Sequence, residues 1–185
     1  TQTPVPTAPA DSGVYIGDTK YATVMEAVNA AAAINPSSEE NRVYIDVMPG
    51  TYREQVVVKT PYVTIRKMPG TEGEAKLTWY YGLGSLYDSC NSSGYYDPSV
   101  IGDGEAYGPK DWGPALKVDK SATAFTAENL KIENSYNAYY TQEELTDIMG
   151  VDPDTNNSNF HRLDWIKEQI AAGKSDSEIN TYLQS

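Results

Sequence analysis

Val43-Tyr-Ile-Asp-Val-Met-Pro-Gly-Thr-Tyr-Arg-Glu-Gln-Val-Val-Val58 is the stretch on which the fold turns. From Val43 to Val47 apolar and polar residues alternate, the two-residue period of a half-buried strand. Pro49-Gly50 interrupts it as a turn signal, and Val56 and Val58 resume it. Outward along the chain the same short bursts recur: Val63 and Ile65, Leu77 and Trp79, Leu116 and Val118, with Thr60-Pro61 and Pro69-Gly70 as punctuation. A last alternating stretch, Phe125 to Asn134, runs through Leu130 and Ile132. Before the first strand, Gly17 to Ile34 places Val24, Ala27, Val28 and Ala31 at helical spacing, with Thr23 and Glu26 as a capping box. No helix separates the strands. A sandwich, a barrel and a right-handed parallel β-helix all fit this all-β pattern, and periodicity does not choose among them.

The 185 residues suffice for one domain with a sizeable core. Acidic residues outnumber basic ones 26 to 14, and the resulting charge of −12 argues against nucleic acid and anionic membranes as partners. No run approaches the roughly 18 apolar residues of a membrane span. Residues 1–13 read as a Thr/Pro linker behind a mature or trimmed N-terminus, which points to a secreted or extracellular protein. A single cysteine, Cys90, excludes an internal disulfide, and with one histidine, His161, leaves too few soft ligands for zinc. Chemistry here must use carboxylates, hydroxyls, amides or aromatic rings. Tyrosine is the outlier, with 15 Tyr and 3 Trp against 2 Phe. Such amphipathic rings serve equally as sugar-stacking platforms and as strand-surface and loop residues.

Gly82 to Gly113 reads as a long loop rich in Tyr, Gly, Ser and Asp, and loops of that length without strands are functional or disordered. Beyond Asn134 the chain turns polar and helix-prone. Leu163, Ile166 and Ile170, then Ile179, Tyr182 and Leu183, predict a helical hairpin over about 161–184, with Gly173 as stop and Ser175/Glu178 as capping box. Asp152-Pro-Asp-Thr-Asn156 opens like a calcium loop, but Asn157 and Leu163 stand where glycine and a bidentate acid are needed, so it reads as a solvated Asx-rich turn. His161 has no Ser or Cys motif beside it, and Cys90 has no basic neighbour; both read as bystanders.

Two segments carry a family resemblance. Tyr21-Ala-Thr-Val-Met-Glu-Ala-Val-Asn-Ala-Ala followed by Gly50-Thr51-Tyr52-Arg53-Glu54-Gln55-Val56 resembles the opening of pectin methylesterases, and Ala122-Thr-Ala-Phe-Thr-Ala-Glu-Asn-Leu-Lys-Ile-Glu-Asn134 is similar to the coil preceding that family's catalytic coils. The likeness covers about Val14 to Tyr136. It implies a right-handed parallel β-helix over residues 14–137, opened by a capping helix, with residues 138–185 as a polar helical insertion. It also implies hydrolysis of methyl esters on polygalacturonate, with one aspartate as nucleophile, a second as general acid/base, glutamines at the oxyanion site and an orienting arginine. No cofactor or metal is implied.

The family's Gln-Asp, Asp-Phe-x-Phe-Gly and Arg-Pro-Trp signatures have no counterpart here. The expectation is therefore an N-terminal segment with no catalytic residue of its own, inactive in isolation, ending inside an insertion before the catalytic half. Either the enzyme is divided into two associated polypeptides, or the chain is truncated. Asp111 occupies the place of a substrate-contacting threonine of the family, and Asp111, Trp112 and Tyr107 are the candidate contacts to methylated pectin. Asp88, Asp97, Asp103, Glu105 and Asp111 would disfavour an ionised polymer while tolerating neutral methylated units. The competing readings are a non-catalytic pectin-binding β-helix and a pectate lyase, for which the chain shows neither a calcium site nor a basic proton abstractor.

Overall fold

The computed structural model describes residues 13–111, 113–136, 138–151 and 158–183. They form two compact units, Thr1–Thr78 with Ala115–Glu133, and Trp79–Pro114 with Asn134–Ser185. The Thr/Pro linker falls almost wholly outside the described residues. Strands predominate, in parallel and mixed sheets with few helices and no closed barrel.

In the first unit β1 (Val14–Ile16) and β2 (Thr19–Tyr21) make an antiparallel hairpin, and β1 also pairs antiparallel with β3 (Val43–Val47). The strands β4 (Gly50–Arg53), β5 (Val56–Val58), β6 (Val63–Lys67) and β7 (Ala75–Trp79) follow in order. Downstream, β9 (Leu116–Val118), β10 (Thr126–Glu128) and β11 (Leu130–Asn134) complete the set. The pairs β3–β6, β6–β10, β4–β7 and β5–β9 are all parallel. Each strand lies beside the one a full three-strand set later: β3 beside β6 beside β10, β4 beside β7 beside β11, and β5 beside β9. The registers stack like on like, Ile45 on Ile65 on Ala127, Tyr52 on Leu77, Val56 on Leu116 and Val58 on Val118.

Two expectations are corrected. Gly50 to Arg53 is a strand, because its backbone finds a parallel partner in β7. Phe125 to Asn134 is not one strand: Asn129, at φ 54°, breaks it into β10 and β11, which join different sheets. A left-handed residue reverses the local direction of the chain, and asparagine tolerates that region better than most residues. Tyr62 and Ala124, at φ 53° and 56°, make corresponding corners just before β6 and β10.

Helix α1 (Val24–Ile34) buries Val24, Ala27, Val28 and Ala31, the predicted face, against β1, β3 and β5. Burying each valine contributes roughly 1.5–3 kcal/mol. Its cap differs from expectation. Thr23 Oγ1 accepts from Glu26 N at 3.1 Å, but the Glu26 carboxylate reaches Ala22 N at 2.9 Å, one residue before the position that closes a box. The free amides of the first turn go instead to Glu54, whose two oxygens accept from Val24 N at 3.0 Å and Met25 N at 2.8 Å. Burial pushes the Glu54 carboxyl above its ordinary pKa, and those two amides oppose the shift.

Tyr52 and Val56 of the Gly-Thr-Tyr-x-Glu-x-Val motif have structural contacts as well. The Tyr52 hydroxyl lies 2.8 Å from the Met48 carbonyl and accepts from Gly13 N at 3.3 Å, while Val56 is fully buried. On the outer face one guanidinium ties β6 to β10 and to the corner before it: Arg42 Nη1 donates to Thr64 Oγ1 at 3.2 Å, the Ala124 carbonyl at 2.8 Å and Thr126 Oγ1 at 3.3 Å.

In the second unit β8 (Ser85–Tyr87) pairs antiparallel with β12 (Ile148–Val151), so the Gly82–Gly113 segment contains a strand where none was expected. Helix α2 (Gln142–Asp147) starts at a Thr141/Glu144 capping box. The hairpin forms as α3 (Ser158–Ala171) and α4 (Asp176–Leu183). Gly173, at φ 81°, ends α3: its amide bonds the Ile170 carbonyl and Lys174 N bonds the Gln169 carbonyl, the paired closure of a Schellman motif. No helix among the described residues is long and apolar enough to cross a membrane.

Candidate functional site

The tyrosine-rich segment folds on its own rings. Trp79, Tyr80, Tyr81 and Tyr87 are buried and linked ring to ring, Trp79 to Tyr80 and Tyr81 and both of these to Tyr87, with Tyr81 and Tyr87 stacked at 4.2 Å and Trp79 edge-on to Tyr96 at 4.9 Å. Under them sits a polar hub. Asp147, at the end of α2, accepts from the Tyr80 hydroxyl, from Ser89 N at 2.7 Å and from Ser89 Oγ at 2.7 Å. Tyr81 and Ser89 share a further hydrogen bond of 2.6 Å. Burial pushes the Tyr80, Tyr81 and Tyr87 hydroxyls well above their ordinary pKa, and the Tyr87 hydroxyl accepts from Gly82 N at 2.8 Å. Cys90 is fully buried, and burial together with Asp147 pushes its thiol up to about 11; a thiol held that way is no nucleophile.

The three sequence-selected contacts are not gathered into one cluster by any described contact. Tyr107 is half-buried, and its backbone bridges Tyr87 through hydrogen bonds of 3.0 and 3.3 Å. Asp111 is exposed at φ 52°, with one carboxylate oxygen 3.4 Å from the Tyr95 hydroxyl. Trp112 lies outside the described residues. Of the five loop acids, Asp88, Asp97 and Asp103 use a side-chain oxygen to hold the backbone amides of Gly102, Ser99 and Glu105. Hydrogen bonds from Ser99 hold the Asp97 carboxyl below its ordinary range. These carboxylates therefore shape turns as well as carrying charge. Of the loop tyrosines, Tyr87 is buried and out of reach of any ligand, while Tyr96 is exposed.

The Asp147 hub was missed in the sequence because Asp147 stands 58 residues from Ser89 and 67 from Tyr80. The calcium-like segment 152–157 lies outside the described residues, as does the side chain of His161. Among the described residues, no three His, Cys, Asp or Glu side chains come together as metal ligands would. No protein-family model, curated protein or solved structure matches the chain.

Proposed function

We propose that this chain is the N-terminal part of a secreted pectin methylesterase, supplying the first coils of a right-handed parallel β-helix, with the catalytic aspartates on a downstream piece. In this reading α1 closes the first end of the coils, residues 138–185 are an insertion, and the substrate is methylated homogalacturonan. The observation that carries it is the three-strand repeat of parallel pairing, in which the Gly-Thr-Tyr-x-Glu-x-Val motif has a defined structural part to play. An antiparallel sandwich, the main alternative for strands of this length, pairs neighbours instead.

The last rung supports the same reading. Val58 is fully buried, whereas Val118, its register partner, is 43 % exposed, and Ile132 on β11 is 50 % exposed. β9, β10 and β11 each end their sheet. Edge strands bearing uncovered aliphatic residues are an aggregation hazard unless something pairs with them. Val58 is paired in parallel register with Val118, and in this reading a further coil would pair with Val118 in the same way.

The reaction consumes one water per ester and yields one carboxylate and one methanol. Residues 1–185 alone should release no methanol from methylated pectin, whereas the chain reassembled with a downstream catalytic half should. Turnover by the isolated chain would show that its catalytic groups are among those dismissed above. An ultraviolet-absorbing unsaturated product would identify a lyase, and affinity without turnover a binding module. In the reassembled enzyme Tyr107→Ala should raise KM for methylated pectin about three- to tenfold with kcat little changed, the loss of one ring-stacking contact. An unchanged KM would leave Tyr107 a structural cover.

A further inference from the structure

We infer that the open edge at β10 selects its partner by charge: the strand that adds beside it runs parallel and carries a lysine or arginine in register with Glu128. The surface is the last rung of the first unit. Among the described strands β10 has one neighbour, β6, and β9 and β11 likewise end their sheets. Val118 and Ile132 on that rung are exposed, as are Ala127 and Glu128. Strand edges that carry uncovered aliphatic residues are templates for a further strand.

Charge fixes what that strand must carry. In the outward row across the sheet, Asp46 of β3 lies in register with Arg66 of β6, and Arg66 with Glu128 of β10. The sign alternates at each step. Arg66 Nε donates to Asp46 Oδ1 at 2.6 Å, and its guanidinium lies 4.4 Å from the centre of the Tyr44 ring. With Arg66 committed there, Glu128 forms no ion pair among the described residues. A cation on the next strand would stand directly opposite it, where unlike charges stabilise a cross-strand pair and like charges oppose it. The neighbouring outward row offers nothing similar. There Thr126 lies beside Thr64, and Arg42 donates to both hydroxyls, so a cation on the next strand would meet a site already served by one.

The occupant is a different polypeptide and not a second copy. Stacking copies head to tail would need an open parallel edge at the first end, and that end is closed. Helix α1 packs on β1, β3 and β5, Met25 Sδ accepts from Val57 N at 3.2 Å, and β2 ends the sheet in antiparallel pairing. Setting two last rungs face to face would join two chains of net charge −12, each with an acid on its β10 edge. That the incoming strand belongs to a further coil rests on the reading above; the charge it must carry does not.

The test uses the full ¹⁵N-labelled chain and a synthetic strand copied from residues 60–68, Thr-Pro-Tyr-Val-Thr-Ile-Arg-Lys-Met, the sequence that already pairs in parallel with β10. This peptide should shift the amides of Thr126, Ala127 and Glu128 saturably. Its Thr64→Arg/Arg66→Thr form keeps the net charge but moves the cation to the neighbouring row, and should bind about threefold more weakly. Its Arg66→Glu form should bind about tenfold more weakly. With the Glu128→Lys chain the order should reverse, the Arg66→Glu peptide becoming the tightest of the three. Absence of saturable shifts, as from an acid that only wards strands off, overturns the inference; so does equal affinity for the three peptides, or a chain that dimerises through the same amides without peptide. Charge-selective binding without methanol release from the reassembled enzyme leaves this surface standing and removes the esterase reading. Methanol release from an enzyme whose Glu128 selects none of the peptides does the reverse.

Discussion

Asp147→Ala is expected to cost about 3 kcal/mol of stability, because it strands three donors at once. The Tyr80 hydroxyl, Ser89 N and Ser89 Oγ all give their hydrogen bonds to this carboxylate, and Tyr80 and Ser89 are buried. Each buried donor left without an acceptor costs roughly 1–3 kcal/mol, and bonds to a charged group lie at the upper end of hydrogen-bond energies. For a chain of this size the melting midpoint should fall by about 6–12 °C. Ser89→Ala, which keeps the backbone amide bond, should cost about half as much. Urea unfolding followed by the near-ultraviolet signal of the tyrosine cluster measures both. A loss below about 0.5 kcal/mol for Asp147→Ala would mean that water replaces the carboxylate and that the hub is not what orders the segment after β7.

Gly82→Ala should be comparably damaging for a different reason. A Cβ at Gly82 would stand 2.0, 2.1 and 2.3 Å from ring carbons of Tyr136, well inside any tolerated contact. That ring is only 8 % exposed and packs edge-on to Tyr140, so it has little room to retreat. Overpacking of this kind costs roughly 1–3 kcal/mol, and here about 3 kcal/mol is expected. The double variant separates this contact from a general backbone effect. In a Tyr136→Ala background the added methyl meets space, and Gly82→Ala should become nearly neutral, a coupling of about 2 kcal/mol or more. Equal costs in the two backgrounds would place the damage in the backbone at Gly82 and not against the ring.

These two sites show how the tyrosine-rich segment escaped the sequence. Its composition marks it as unusual, but the strand β8 within it is not legible there. Which rings point inward was not legible, because Tyr80, Tyr81 and Tyr87 are buried by contacts with each other and with residues after Asn134. A tyrosine can lie buried with its hydroxyl bonded or lie exposed on a surface, and its neighbours in sequence do not decide which. Similarly, Asp88, Asp97 and Asp103 are visible as charges, while their hold on the backbone amides of Gly102, Ser99 and Glu105 appears only when the turns close.

What the chain determines by itself is local: the α1 face of Val24, Ala27, Val28 and Ala31, the strands around Val43, Val56, Val63, Leu77 and Leu116, and the α3–α4 stop at Gly173. Each follows from a period or a turn preference within one turn or one strand, and each forms as written. Pairing is another matter. A half-buried strand of five residues satisfies its hydrophobic face equally well beside its neighbour or beside the strand three positions on, so period two is silent about partners. Tertiary structure chose the second, through the left-handed corners at Tyr62, Ala124 and Asn129 and through Arg42 reaching across to Thr64, Ala124 and Thr126. It also gave Glu54 to the start of α1, 29 and 30 residues back along the chain, because a carboxylate near a helix N-terminus is stabilised wherever the chain delivers it.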